Sequence, residues 1–165
     1  MLIDLSKIIN SLSKILIDKN LKLSLCESCT GGLLSKIFTD FNGSSSWFSG
    51  SFVTYDNDLK EIIGVNKSTL ELYGAVSREV ALEMSEAALK LANSDVCLSI
   101  TGIAGPKGGS IEKPVGTVHF SYIDIYGQKL HKECFFSGTR KEIRESAAEK
   151  GIQIILDCVR EIKTQ

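Results

Sequence analysis

Leu5, Ile8, Ile9, Leu12, Ile15 and Leu16 recur every three to four residues near the start of the chain. That period gathers them on one face, so the first twenty residues read as an amphipathic helix. The pattern then changes. A short apolar run at 21–25 reads as a buried strand, and Leu33-Leu34-Ser35-Lys36-Ile37-Phe38 resumes a helix to about Asp40. Residues 47–55 are aromatic and β-branched enough for a strand. Asp56 or Asn57 can cap a short helix that carries Lys60, Ile62 and Ile63, and Ser77 a longer one through Val80, Met84, Ala88 and Leu91. A second buried strand spans 95–100. Strands at 115–125 and 129–136 form a hairpin around Tyr126-Gly127-Gln128. Thr139 opens a last helix whose apolar face is Ile143, Ala147, Ile152, Ile155, Val159 and Ile162.

Strands that alternate with helices, closed by one hairpin, predict a three-layer α/β/α sandwich with a mixed, mostly parallel sheet. No repeat, linker or low-complexity segment interrupts it. The 165 residues therefore read as a single domain, long enough to bury its own core.

Composition narrows the function. A net charge of −1 provides no general footprint for nucleic acid. No apolar run approaches the roughly 18 residues that span a bilayer, so no membrane association is expected. Met1-Leu2-Ile3-Asp4-Leu5 has no basic stretch ahead of a long apolar core, so it does not resemble an export signal. Five scattered cysteines, an odd number, fit a reducing cytoplasm better than a disulfide framework. Neither His119 nor His131 lies at finger spacing from the one close cysteine pair, so no metal site is expected.

The chemistry concentrates in Cys26-Glu27-Ser28-Cys29-Thr30-Gly31-Gly32, between a strand and a helix. Such a turn aims free N–H groups and the positive end of a helix dipole at one spot, where an anion or a developing oxyanion can sit. Three functions compete for it. Cys26 and Cys29 form a C-x-x-C pair where a thioredoxin-like site would lie, although no Trp precedes it and no Pro separates the thiols. A second loop, residues 101–109, holds four glycines and Lys107 after another strand, so the two turns could bind a ligand without chemistry. Neither matches a Walker A or dinucleotide-binding pattern. The third function is nucleophilic catalysis by Ser28. Both histidines fall inside strands, which disfavours a Ser-His-Asp triad, and Lys60 could be the base instead. A lysine base must fall from a pKa of about 10.4 to roughly 7–8.

Five blocks carry a resemblance. They are Glu27-Ser28-Cys29-Thr30-Gly31-Gly32; Tyr55-x-Asn57-x-x-Lys60; Gly74-Ala75-Val76-Ser77; Thr101-Gly102-Ile103-Ala104-Gly105-Pro106 with Gly108-Gly109; and Lys113-Pro114-Val115-Gly116-Thr117-Val118. Together they resemble the CinA carboxy-terminal domain family, the nicotinamide-nucleotide amidases, from about Leu5 to Ile162. The resemblance implies an amidohydrolase acting on a linear carboxamide. It would convert nicotinamide mononucleotide to nicotinate mononucleotide and ammonia, in pyridine nucleotide salvage, with no cofactor and no metal. It makes Ser28 the nucleophile and Lys60 its base, and adds Tyr55, Thr101 and Arg140 as functional positions. The turn's own chemistry fits: the N–H groups of Cys29, Thr30 or Gly31 can hold the oxyanion at the helix start, with Gly32 beside them in the substrate-binding turn. From its glycines and basic neighbours, rather than from the resemblance, the loop with Gly102, Gly105, Gly108 and Gly109 is expected to hold the phosphate, aided by Lys113 and Arg140. The larger amino-side domain common in the family is missing, so the chain resembles the stand-alone form. Cys26 replaces the small residue expected before the first block. A homo-oligomer, a non-catalytic nucleotide-binding or accessory domain of the same fold, and a thiol oxidoreductase stay open as alternatives.

Overall fold

The computed structural model describes residues 5–163; residues 1–4, at the start of the predicted first helix, lie outside them. In chain order the elements are α1 (Leu5–Asp18), β1 (Leu23–Glu27), α2 (Leu33–Thr39), β2 (Phe48–Val53), α3 (Asn57–Ile63), α4 (Lys67–Tyr73), α5 (Arg78–Ala92), β3 (Val96–Gly102), β4 (Thr117–Asp124), β5 (Lys129–Phe135) and α6 (Arg140–Glu161). They build the expected α/β/α sandwich. The sheet order is β2-β1-β3-β4-β5. β1 is parallel to β2 and β3, and β4 and β5 are antiparallel additions.

The chain leaves β1 in one direction to form β2, then crosses back over β1 to form β3. Right-handed crossovers in opposite directions place their helices on opposite faces of the sheet. The pleat follows suit. Leu23, Leu25, Val96, Leu98 and Ile100 join one core with α1, α2 and α6. Cys26 and Cys97 join the other, against Val80, Met84 and Ala88 of α5. Small hydroxyls let α5 lie close to the sheet and find partners there: Ser85 with Ser121 at 2.9 Å, and Ser99 donating to the Ala81 carbonyl at 2.5 Å.

Side chains start the helices as their residue types predict. Asp56 accepts from the Asp58 N–H, Ser77 from Val80, and Thr139 forms a capping box with Glu142. Two local differences from the sequence pattern matter. β1 runs on to Glu27, because its ladders continue to Val53 and Ile100. α4 has no counterpart in the pattern. It buries only Leu70, and it is held by Glu83, which accepts from the Asn66 N–H and the Thr69 hydroxyl at 2.7 Å each.

Candidate active site

Because β1, β2 and β3 run the same way, their carboxyl ends open on one edge, where ligands of such sheets bind. A cavity of about 280 Å³ lies there, with Ser28, Lys60 and Thr101 among its walls. Ser28 follows β1 directly, and its N–H donates to the Ile100 carbonyl of β3 at 2.9 Å. Lys60 comes from α3, just beyond β2.

Lys60 is only 1 % exposed. Its Nζ lies 3.1 Å from Ser28 Oγ, 2.8 Å from the Thr54 carbonyl and 3.4 Å from the Tyr55 carbonyl. Burial pushes its pKa below the ordinary lysine value of 10.5. A neutral amine has two N–H groups and one lone pair. The two carbonyls can take the N–H groups, and the lone pair then faces the Ser28 hydroxyl.

The turn after Ser28 is shaped from inside. Gly31 and Gly32 adopt φ of +61° and +92°, a region that a side chain strains. The fully buried Glu27 carboxylate accepts from the N–H groups of Gly32, Leu34 and Ser35 and from the Ser35 hydroxyl, at 2.8–3.2 Å. This corrects the picture of an open, anion-seeking helix start: Glu27 already fills it. Gly31 donates to the Ser28 carbonyl at 3.0 Å, so the expected donor Gly31 is engaged, as is its neighbour Gly32. Among the described residues, the Thr30 N–H meets no acceptor, and the Cys29 N–H meets only its own thiol. Glu27→Gln would set an amide NH2 against the Gly32, Leu34 and Ser35 donors and remove the charge. We expect a loss of about 2–3 kcal/mol of stability, read as a lower denaturation midpoint; an unchanged midpoint would show that the carboxylate is not the anchor of this turn.

Arg140, the first residue of α6, bridges the cavity mouth. It donates to the Tyr55 hydroxyl and to the Gly105 carbonyl, both at 2.7 Å. The Tyr55 phenol therefore faces Arg140, and only its carbonyl reaches Lys60. Thr101 donates to the Ala75 carbonyl at 2.7 Å and fixes the 74–77 segment beside the cavity. Gly102 is required by close approach, since a Cβ there would lie 2.7 Å from Val118 Cγ2 and 2.8 Å from the Thr117 carbonyl.

Cys29, Gly102, Gly105 and Gly108 line the cavity. Thr30, Gly31, Gly32, Gly109 and Lys113 do not. Lys113 turns outward, and its ammonium donates to the Tyr73 carbonyl at 2.7 Å. Lys107 lines the mouth in its place, with Asn57 and Val76 nearby. A basic residue in a glycine loop was visible in the sequence, but which lysine turns inward was not. The lining holds three basic side chains, Lys60, Lys107 and Arg140, and no carboxylate.

The C-x-x-C spacing does not make a pair. Cys26 packs into the core beneath α5, and Cys29 into the core on the opposite face. Burial pushes the thiols up to about 11 and about 12, so both stay protonated near neutrality. His119 and His131 sit 2.9 Å apart on β4 and β5, away from the cavity lining. Burial lowers the pKa of both. Among the described residues, no three His, Cys, Asp or Glu side chains gather where they could hold a metal ion, and no helix is long and apolar enough to cross a membrane.

Fold and site define an α/β sandwich protein with a serine–lysine pair at the ends of its parallel strands. The family model described as the CinA C-terminal domain matches residues 5–159, and the chain belongs to that family. It is 50% identical over 135 residues to the nicotinamide-nucleotide amidohydrolase PncC of Enterobacter agglomerans, covering 81% of this chain and 82% of that one. It is 48% identical over 153 residues to a CinA-like protein of Leptospira interrogans, covering 90% of this chain and 36% of that longer one. The crystal structure of the competence/damage inducible protein CihA from Agrobacterium tumefaciens superposes with a TM-score of 0.86 at 39% identity, covering 93% of this chain and 96% of that one.

Proposed function

We propose that this chain hydrolyses the carboxamide of nicotinamide mononucleotide to nicotinate mononucleotide and ammonia, using Ser28 and Lys60. The observation that carries the mechanism is the buried Lys60 amine against the Ser28 hydroxyl; the amidohydrolase activity for which its relatives are named supports the reaction. Ser28 Oγ attacks the amide carbon as its proton passes to Lys60. The oxyanion is met by N–H groups of the turn, each such donor being worth about 3–4 kcal/mol. Lys60 returns the proton to the departing ammonia. It then takes a proton from the water that attacks the acyl-serine and passes it to the departing Ser28 Oγ, and nicotinate mononucleotide leaves.

The mouth supports a phosphorylated substrate. Lys107 and Arg140 provide positive charge at the opening, with no carboxylate among the lining side chains to oppose it. The phosphate therefore belongs with Lys107, Arg140 and the glycine loop rather than with Lys113. Five free cysteines fit a reducing cytoplasm, where nucleotide salvage would operate.

Ammonia release from nicotinamide mononucleotide, its riboside and free nicotinamide tests both parts. The mononucleotide should be hydrolysed well ahead of the other two. Lys107→Ala should raise KM for the mononucleotide about tenfold, roughly 1.4 kcal/mol, and leave the riboside unaffected. No ammonia from any of the three amides would overturn the function. An equal effect of Lys107→Ala on mononucleotide and riboside would remove Lys107 from the phosphate site.

A further inference from the structure

Arg144 lies one turn beyond Arg140 on α6, so the two share a helix face. Arg140 reaches the cavity mouth. Arg144 reaches the back of the Ser28 turn: its Nε donates to the Cys29 carbonyl at 3.1 Å and its Nη2 to the Thr30 carbonyl at 2.7 Å. We propose that Arg144 is a positioning residue that sets the oxyanion donors by holding the carbonyls on the far side of their peptides. The proposal rests on the reading of Ser28 as nucleophile.

The reason is peptide geometry. A trans peptide is planar, with its C=O and N–H pointing opposite ways. With the Cys29 carbonyl held by Arg144, the N–H of Thr30 must point away from α6. With the Thr30 carbonyl held as well, the N–H of Gly31 also points away, and it donates to the Ser28 carbonyl at 3.0 Å. That bond fixes the Ser28 carbonyl and so turns the N–H of Cys29 to the opposite side. Arg144 thus orients the peptides on either side of Thr30 directly and the next through Gly31. Of these, the Thr30 N–H meets no acceptor among the described residues, and the Cys29 N–H meets only its own thiol. Thr30 is fully buried, and its hydroxyl also lacks a partner. Buried donors without acceptors cost stability. Of the two residues, Cys29 lines the cavity beside Ser28, so its N–H is the one placed to meet an oxygen of the reacting substrate.

The residue type matters. Two carbonyls on successive residues are met by one planar fork, which a lysine ammonium on a flexible stem does not reproduce. α6 is a suitable platform, since its 22 residues pack against α1 and the sheet.

A fluorophosphonate tests the clamp without amide turnover. Ser28 Oγ bonds to phosphorus, its proton goes to Lys60 and fluoride leaves. The phosphoryl oxygen needs the same donors as the amide oxyanion. In the full-length chain, the labelling rate of Ser28 is followed by intact mass and peptide mapping, alongside the affinity for nicotinamide mononucleotide. Arg144→Ala should label about 10–100-fold more slowly, somewhat less than deletion of a donor outright, while nucleotide affinity stays within about twofold. Millimolar guanidinium should restore much of the rate. Arg144→Lys, which keeps the charge and the fold if the alanine variant does not, should remain slow. Wild-type labelling rates in either variant would overturn the clamp and leave the serine reading intact. A wild-type chain whose Ser28 is never labelled would overturn the serine reading itself.

Discussion

Ser28→Ala should abolish ammonia release from nicotinamide mononucleotide, with kcat/KM falling about 10⁴–10⁶-fold. The substitution removes the one atom that forms the acyl bond. It leaves the surroundings in place, because Lys60 keeps the Thr54 and Tyr55 carbonyls as partners and the Ser28 N–H still donates to Ile100. Thermal stability and nucleotide affinity should therefore stay close to those of the unmodified chain, which separates lost chemistry from lost fold. Cys26→Ser serves as the contrast. Its thiol belongs to the core beneath α5 and should be dispensable for turnover. A Ser28→Ala variant with more than a tenth of the original rate would remove the serine mechanism, and a dead Cys26→Ser variant that still folds would reopen the thiol chemistry.

Lys60→Met should lower kcat/KM about 10³–10⁴-fold, the range of a lost general base. The pH dependence is more specific. Only the neutral amine can take the Ser28 proton, and burial holds the folded-state pKa below 10.5. The rate should rise with pH through that lowered pKa and level off above it. Stability follows the same group. Between the folded-state pKa and the ordinary value, the unfolded chain binds a proton that the folded chain does not. Stability thus increases with pH across that window. Measured against Lys60→Met, the unmodified chain should gain stability as pH rises through it. A rate profile whose limb stays at the ordinary lysine value, with no such gain, would show that Lys60 is not the base.

The chain's local rules read through to the structure wherever one residue type has one strong preference. The period of Leu5 to Leu16 and the caps at Asp56, Ser77 and Thr139 all produce the helices they predict. The glycines at 31 and 32 give the turn its left-handed backbone, and the small residues after β1 and β3 mark the two loops at the strand ends. α4 was hidden because its anchor, Glu83, lies on another helix.

The amino-acid sequence by itself determined the α/β/α layering, the Ser28 turn and the glycine loop, because hydrophobic period, capping and positive-φ glycine act over a few neighbouring residues. Tertiary structure alone decided what those parts do together. It brought Lys60 to Ser28 across 32 residues of chain and Arg144 to Thr30 across 114. It turned Lys107 into the cavity mouth and Lys113 out of it, and it spent the start of α2 on Glu27. It also sent Cys26 and Cys29 to opposite faces of the sheet, so that their spacing in the sequence carried no chemistry. Each of these depends on strand order and on which face of a helix meets the sheet, and no local pattern of residues contains that information.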